Sequence, residues 1–343
     1  MVEFTIGKTR NPYWQMMRAI AIIAVIYIHS TSLGINESLL SLNGLWYLFV
    51  RNLMNFPVAL FFFISGYFTK NPLNMLENSG GYWKHRILRL LIPYISWSFI
   101  YIAMRFINGE NFGIHKILMT LLTGSAVVPL YYILVLLLFT IITPVLFWSM
   151  NNKIADKIIL AVSPTFLVVA FFFLFRFGFN YWIYLKFTPV WLIFFYLGIR
   201  FKEKKPKLNV RYLYIALIAM FALQLLETVL LRKISGFNSF TQIRFFGFGY
   251  SLVLIMLIYE KSKKSSRKVN LLVRIGDDSF GIYFIHCAFL TALSKFYRIL
   301  GIDIPLIVLQ PIEIIVTLVL SIVSVYLIRI MFKKKLSALL FGV

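Results

Sequence analysis

An arginine and a histidine stand at the two ends of one apolar run near the start of the chain. Arg18 and His29 are separated by ten residues, nine of them aliphatic and one a tyrosine. In an α-helix this offset turns about 1100°, roughly 20° past three full turns, so both side chains lie on one stripe about 16 Å apart along the axis. Ionisable groups at such depth in a membrane usually face a bundle interior or a water-filled cavity. The spacing therefore predicts that this helix forms one wall of an active site. A structural explanation accounts for the same residues: Arg18 extends to the lipid headgroups, and His29 forms a hydrogen bond with a neighbouring helix.

A second basic pair lies at the start of the third long apolar run. Arg86 and Arg89 are three residues apart, so they share one helical face. The pattern places them near a helix N-terminus, where the backbone dipole favours anions. Because guanidinium groups bind phosphate oxygens well, the pair indicates a site for a phosphorylated ligand. Anchoring of the cytoplasmic ends of the helices to anionic lipid explains the same residues.

Three further ionisable residues interrupt later apolar runs. His286 follows the Asp-Asp-Ser segment 277–279, which we expect to cap its helix. Glu227 lies within the seventh run and Glu313 near the start of the tenth. A carboxylate in lipid either pairs with a cation or stays protonated, and both states can transfer protons or hold sugar hydroxyls. Of the two carboxylates we favour Glu227 for substrate binding.

Ser65, Gly66 and Tyr67 end the second apolar run. Small residues let helices approach closely, and a tyrosine hydroxyl can enter a polar pocket. A serine nucleophile needs an adjacent base, and the sequence has no Gly-x-Ser-x-Gly elbow. Packing is therefore a sufficient explanation for this segment. The sequence also carries no metal-ligand spacing, P-loop or dinucleotide fingerprint, so we expect no metal cofactor.

The composition is that of an integral membrane protein. Of 343 residues, 60% are hydrophobic and 14% charged, and the mean hydropathy is +0.84. A net charge of +23 would indicate nucleic acid in a soluble protein. Here the basic residues form short clusters between apolar runs, which is typical of loops facing anionic lipid, so we expect no nucleic-acid partner. A single cysteine, Cys287, excludes an internal disulfide.

The apolar runs predict an all-α, polytopic membrane bundle of about ten spans. The basic clusters alternate between loops and place both termini in the cytoplasm, in a multi-pass protein of the cell membrane. The first run is too long for a cleaved signal. We expect a single membrane domain over residues 1–343, with no appended soluble domain. The spans lie near residues 14–33, 44–68, 87–107, 130–149, 158–177, 182–200, 210–231, 244–259, 277–300 and 305–332.

In order and spacing, these motifs resemble the acyltransferase-3 family of multi-pass membrane acyltransferases. The resemblance implies that His29 is the catalytic residue, that Arg18 supports it, and that Arg86 and Arg89 serve acyl-CoA binding or entry. It implies transfer of an acyl group, often acetyl, from cytosolic acyl-CoA to a hydroxyl of a sugar or other acceptor. The motifs are Arg18 with His29, Phe61-Phe-Phe-Ile-Ser-Gly-Tyr67, Arg86-x-x-Arg89-x-x-x-Pro93, Pro129-Leu-Tyr-Tyr-Ile-Leu134 and Phe280-Gly-Ile-Tyr-Phe-Ile-His286.

This interpretation adds Tyr67 to the CoA site and places Glu227, His286 and Tyr131 at the site of a glycan or lipid-linked sugar acceptor. The chain departs from the family pattern at Gln15, where members often carry an acidic residue. It departs again at Pro129-Leu-Tyr131, which replaces a His-Leu-Trp pattern.

The residues leave two chemical routes open, with His29 either as general base or as a covalent acyl carrier. They also leave open an exporter of polysaccharide or lipid-linked sugar that performs no acyl transfer.

Overall fold

The computed structural model describes residues 11–30, 38–72, 79–178, 189–232, 240–264, 270–301 and 304–343. In these ranges the chain is helical and contains no strand, which confirms the predicted fold class. Two 3₁₀ turns, Val128–Leu130 and Pro189–Trp191, separate some of the helices. The helices are α1 (Pro12–Ser30), α2 (Leu42–Leu53), α3 (Pro57–Tyr67), α4 (Ser79–Ile107), α5 (Ile114–Thr123), α6 (Tyr131–Ile141), α7 (Thr143–Ser149), α8 (Lys153–Phe177), α9 (Leu192–Lys204), α10 (Val210–Arg232), α11 (Phe245–Ser262), α12 (Leu271–Ile299), α13 (Leu306–Met331) and α14 (Lys334–Leu340).

Seven helical segments in the described part of the chain are long and apolar enough to cross a membrane. They are α2 with α3, α4, α8, α10, α11, α12 and α13, and an eighth results if α5 and the segment Val128–Ile141, bent by 60°, form one span. The count of ten spans and the cytoplasmic termini stay predictions. Residues 31–33 of the first predicted span and 182–188 of the sixth lie outside the described residues.

Helix α1 is not among the seven, because Gln15, Arg18 and His29 lower its hydropathy. It lies inside the bundle instead, packed chiefly against α12 and also against α3 and α13. Its small residues Ala19 and Ala21 are completely buried. Small side chains let neighbouring backbones approach, and the surrounding helices shield the polar residues of α1 from lipid.

Helices α1 and α12 approach each other closely at Gly276. A Cβ atom at this position would stand 1.8 Å from the carbonyl oxygen of Gln15, so only glycine fits. A second close approach joins α3 to α9, where a Cβ at Gly66 would stand 2.0 Å from the carbonyl oxygen of Phe195. The packing role predicted for Gly66 is therefore confirmed. Both contacts fix helices that carry residues of the candidate site.

A buried polar cluster ties α2 to α10 and α11. The Oδ1 atom of Asn52 accepts hydrogen bonds from Thr228 Oγ1 at 2.9 Å and from Arg244 Nη2 at 2.6 Å. The backbone carbonyl of Asn52 accepts another from Gln224 Nε2 at 3.1 Å. All four residues are fully buried. Because buried polar groups must find partners inside the protein, this cluster holds the three helices in register.

Two predicted helix ends were wrong. Helix α12 begins at Leu271, where the side chain of Asn270 accepts a hydrogen bond from the backbone amide of Val273, so the segment 277–279 does not cap it. Helix α4 begins at Ser79, two turns before Arg86. The influence of a helix dipole fades within the first turn, so α4 contributes no helix-end charge at Arg86. The short helix α5 ends before Gly124, whose φ of 64° suits the left-handed conformation of a helix C-cap.

Candidate functional site

A cavity of about 430 Å³ opens at the side of the bundle where α1, α4 and α12 begin. We call it the basic cavity, because Arg18 from α1 and His85, Arg86 and Arg89 from α4 all line it. In the sequence Arg18 lies far from the Arg86 and Arg89 pair, and the fold brings all three arginines to one cavity. Aromatic residues supply much of the remaining lining: Phe61, Phe68, Tyr82, Tyr132, Phe280 and Tyr283.

Arg86 is held in place by three acceptors. Its Nη1 atom donates to the hydroxyl of Tyr82 at 2.9 Å. Its Nη2 atom donates to Thr69 Oγ1 at 2.7 Å and to the backbone carbonyl of Ser65 at 3.3 Å. These bonds fix the direction of the guanidinium group, which reduces the entropy lost when it binds a ligand.

Arg18 contacts the residue that departs from the family pattern. Its Nη1 atom lies 3.4 Å from Oε1 of Gln15, one turn earlier in α1, and its guanidinium lies over the ring of Phe68 at 5.8 Å from the centroid. Gln15 therefore gives Arg18 a neutral acceptor where an acidic residue would give a charged one.

Tyr132 and Tyr283 form part of the inner wall of the basic cavity. Their ring centroids are 5.7 Å apart, and the Tyr132 hydroxyl lies 3.5 Å from Ser65 Oγ. The Tyr283 hydroxyl donates to the backbone carbonyl of Pro129, which ties α12 to the start of α6. Tyr131 is adjacent in sequence but is not a lining residue. Its predicted acceptor role stays a prediction.

Tyr67 packs in an aromatic cluster next to the basic cavity. Its ring lies 4.9 Å from Trp14, 6.1 Å from Phe63 and 6.3 Å from Tyr259, measured between centroids. It does not line the cavity. The structure thus gives Tyr67 a packing position, and its assignment to the CoA site stays a prediction.

The two membrane histidines meet beyond this wall. The ring centroids of His29 and His286 are 5.5 Å apart. His286 is fully buried, and its Nδ1 atom lies 2.7 Å from the carbonyl oxygen of Tyr283. A carbonyl only accepts, so Nδ1 carries the proton and Nε2 faces the Cys287 thiol at 3.3 Å. His29 is half-buried and keeps part of its surface accessible.

Tyr283 connects the basic cavity with the histidine pair. It lines the cavity, and its ring centroid lies 6.1 Å from that of His286. His29 does not line the cavity. A ligand anchored by the arginines therefore needs an extended arm to reach His29.

The two carboxylates of the apolar runs have different surroundings. Glu227 accepts hydrogen bonds from the backbone amides of Phe245 at 2.9 Å and Phe246 at 3.1 Å, which satisfies the free N–H groups at the start of α11. Glu313 is 3% exposed and lies in the third turn of α13. A capping role explains the burial of Glu227, and its predicted contact with the acceptor stays a prediction.

Arg51 is not among the residues that the sequence motifs single out. This arginine lies in the second apolar run, is 7% exposed and donates a hydrogen bond from Nη1 to Asn55 Oδ1 at 2.5 Å. Its one sequence signal is a cation within an otherwise apolar segment, the same signal that identified Arg18.

The fold and the site define a multi-pass helical membrane protein that places several cations near a pair of histidines. A family model described as an acyltransferase domain, Acyl_transf_3, matches residues 11–330, so the chain belongs to the acyltransferase-3 family. The predicted family is thereby confirmed over nearly the whole chain, and the protein is a membrane acyltransferase. Comparisons with curated proteins and with solved structures found no match.

Proposed function

We propose that the protein transfers an acetyl group from cytosolic acetyl-CoA to a hydroxyl of a cell-envelope glycan or its lipid-linked precursor. The observation that carries this proposal is the convergence of Arg18, Arg86 and Arg89 on one cavity. Coenzyme A bears a pyrophosphate and a ribose phosphate, and guanidinium groups match phosphate oxygens in charge and geometry.

In this proposal the pantetheine arm of CoA spans the distance between the arginines and His29. The arginines lie on one side of Tyr283 and the histidine pair on the other. A phosphate group held by Arg86 leaves the arm free to pass Tyr132 and Tyr283 toward His29. The aromatic walls suit such an arm, because they provide apolar surface without competing for its amides.

In this proposal His29 acts as the general base. Its neutral imidazole accepts the proton of the acceptor hydroxyl while that oxygen attacks the thioester carbon. The carbon–sulfur bond then breaks, and the departing CoA thiolate takes the proton back from the imidazolium. Such catalysis typically contributes about 10² to 10⁴ in rate. The accessible surface of His29 lies outside the basic cavity, which favours an acceptor that arrives from the opposite side.

His286 serves as a positioning residue in this scheme. Its Nδ1–H group donates a hydrogen bond to the Tyr283 carbonyl, and its ring centroid lies 5.5 Å from that of His29. A ring fixed in this way restricts the orientations open to His29.

The proposal is tested by binding of acetyl-CoA to purified protein in nanodiscs. Replacement of Arg86 and Arg89 by glutamine removes two charge-assisted contacts, each worth about 1.5 to 3 kcal/mol, so affinity should fall at least tenfold per residue. Arg211→Gln, at an exposed position of α10, is the matched control and should bind normally. If the double variant binds acetyl-CoA with unchanged affinity, anchoring to anionic lipid explains Arg86 and Arg89, and the proposal loses its main support.

A further inference from the structure

The end of α3 and the last turn of α9 lie side by side next to the basic cavity. Gly198 in α9 makes this approach possible, because a Cβ at its position would stand 2.2 Å from the carbonyl oxygen of Phe63 in α3. One turn after Gly198, the Nζ atom of Lys202 donates a hydrogen bond to the backbone carbonyl of Thr69 at 2.9 Å. Helix α9 therefore places a cation directly behind the end of α3.

Thr69 connects Lys202 with the basic cavity. The side chain of Thr69 is completely buried. Its Oγ1 atom accepts a hydrogen bond from Arg86 Nη2 at 2.7 Å and donates one to the carbonyl oxygen of Ser65 at 2.7 Å. Arg86 and Ser65 line the cavity, and Lys202 does not. Because Lys202 and Arg86 are both hydrogen-bonded to one threonine, the ammonium group lies at the edge of the cavity, near the guanidinium group.

Tyr82 brings another cation and a hydrogen-bond donor to the same edge. Its hydroxyl oxygen accepts from Arg86 Nη1 at 2.9 Å and from the backbone N–H of Lys70 at 3.4 Å. The ammonium of Lys70 lies over the Tyr82 ring, 5.9 Å from the centroid. A hydroxyl oxygen has two lone pairs, and these donors occupy both of them. The O–H group of Tyr82 can therefore only donate, and no residue in the described part of the chain accepts from it.

The hydrogen-bonding groups left at this edge are donors on cations and on Tyr82. Capping of α3 accounts for one N–H group of Lys202 and leaves two for a ligand. Lys70 is exposed and Lys202 is partly exposed, so both flexible side chains can turn toward a ligand. Among the described residues that line the cavity there is no carboxylate. A phosphate monoester is the complement of this set, because its three terminal oxygens accept hydrogen bonds and carry up to two negative charges.

We propose that Lys202 and Lys70, together with Arg86 and Tyr82, bind the 3′-phosphate on the ribose of CoA. This group is the monoester of CoA, and it lies at the nucleotide end, far from the thioester. Tyr82 stands one turn before Arg86, toward the start of α4, where the cavity opens. The inference rests on the proposed function, because it assigns the site to the donor. It makes the two lysines the residues that distinguish CoA from 3′-dephospho-CoA.

The test compares the binding of CoA and 3′-dephospho-CoA to purified protein in phosphatidylcholine nanodiscs, measured by calorimetry. Wild-type protein should bind 3′-dephospho-CoA at least about tenfold more weakly, because charge-assisted hydrogen bonds are lost. Lys202→Met should weaken CoA by about threefold or more, since the lysine is partly exposed, and should leave 3′-dephospho-CoA unchanged. Lys202→Met with Lys70→Met should remove most of the difference between the two ligands.

Two further variants complete the comparison. Lys202→Arg keeps the charge and should retain most of the difference. Lys207→Met, at an exposed position beyond α9, is the matched control and should distinguish the ligands as wild type does. A purely structural role of Lys202 in capping α3 predicts that both ligands weaken alike. Equal binding of the two ligands by wild type, or an unchanged affinity ratio in the double variant, would overturn the proposal. If Lys202→Met fails to fold, Lys70→Met and Lys202→Arg carry the comparison.

A lipid headgroup is the other source of a phosphate monoester at this position. If the lysines bind lipid, phosphatidic acid in the nanodisc should raise the unfolding temperature of wild type and not of the double lysine variant. CoA and 3′-dephospho-CoA should then bind alike. This pair of results would overturn the assignment to CoA.

A probe without a thioester separates the inference from the proposed function. Adenosine 3′,5′-bisphosphate carries the same 3′-phosphate, so its affinity should also fall in the double lysine variant. Such binding without any acetyl transfer by wild-type protein would contradict the proposed function and leave the inference standing. Acetyl transfer by a protein that binds CoA and 3′-dephospho-CoA equally would do the reverse.

Discussion

The substitution Gly276→Ala should damage the site although Gly276 itself does not line the basic cavity. The added Cβ would stand 1.8 Å from the carbonyl oxygen of Gln15, where ordinary contact requires 3.4 Å or more. The obstacle is backbone, which cannot rotate away, so α1 and α12 must separate by about 1.6 Å at this level. Such overpacking typically costs about 1 to 3 kcal/mol of stability.

The same displacement moves Arg18 and His29 relative to the residues of α12. Reacting groups misplaced by about 1 Å can lose a factor of about 10² in rate, so kcat should fall more than the loss of stability alone explains. Unfolding temperature and acetyl transfer by the purified variant measure the two effects separately.

Gly281→Ala on the same helix is the matched control. A Cβ there would stand 2.9 Å from a methyl carbon of Val325 and 2.8 Å from one of Val343, so the obstacle is side chain and not backbone. Alanine is also a better helix former than glycine by about 1 kcal/mol, so this variant should lose less stability and less activity than Gly276→Ala. Equal losses of unfolding temperature and of acetyl transfer in Gly276→Ala and Gly281→Ala would refute the proposed role of the spacing between α1 and α12.

Two further variants test the surroundings of the site. Arg244→Met removes the charge-assisted hydrogen bond to Asn52 Oδ1. The free energy of unfolding, measured by denaturant titration, should therefore fall by about 1.5 to 3 kcal/mol. An unchanged denaturation midpoint would show that the cluster does not hold α2. Hydrogen bonds from Arg105 and Lys116 lower the pKa of exposed Glu110 from 4.5 to about 2, so its stabilising effect is complete above pH 4.5 and is lost as the pH falls toward 2. Glu110→Gln should therefore have a slightly lower unfolding temperature than wild type at pH 6 and the same unfolding temperature in acid. A difference in unfolding temperature that grows in acid would contradict this assignment.

The sequence predicted the parts of this protein that follow from hydropathy and residue type. Helices occupy all ten predicted regions where residues are described, because lipid or protein interior demands apolar stretches of that length. Arg18, Arg86 and Arg89 were recognisable because cations in or beside apolar runs are rare and costly.

Other features depend on tertiary contacts that no local pattern encodes. Tyr132 lines the cavity while Tyr131 does not, since adjacent helical residues point about 100° apart and only packing decides which faces inward. The start of α12 at Leu271 could have been read from Asn270, a favourable N-cap that the apolar pattern obscured.

The central claim, that His29 performs acyl transfer with a donor bound by the arginines, is tested most directly by a paired measurement on His29→Ala. Purified wild-type and His29→Ala proteins in nanodiscs each receive acetyl-CoA labelled in the acetyl group together with a glycan acceptor, and both label transfer and acetyl-CoA affinity are recorded. We expect His29→Ala to bind acetyl-CoA with wild-type affinity and to transfer label at least about 10²-fold more slowly. Full transfer by His29→Ala would contradict the account.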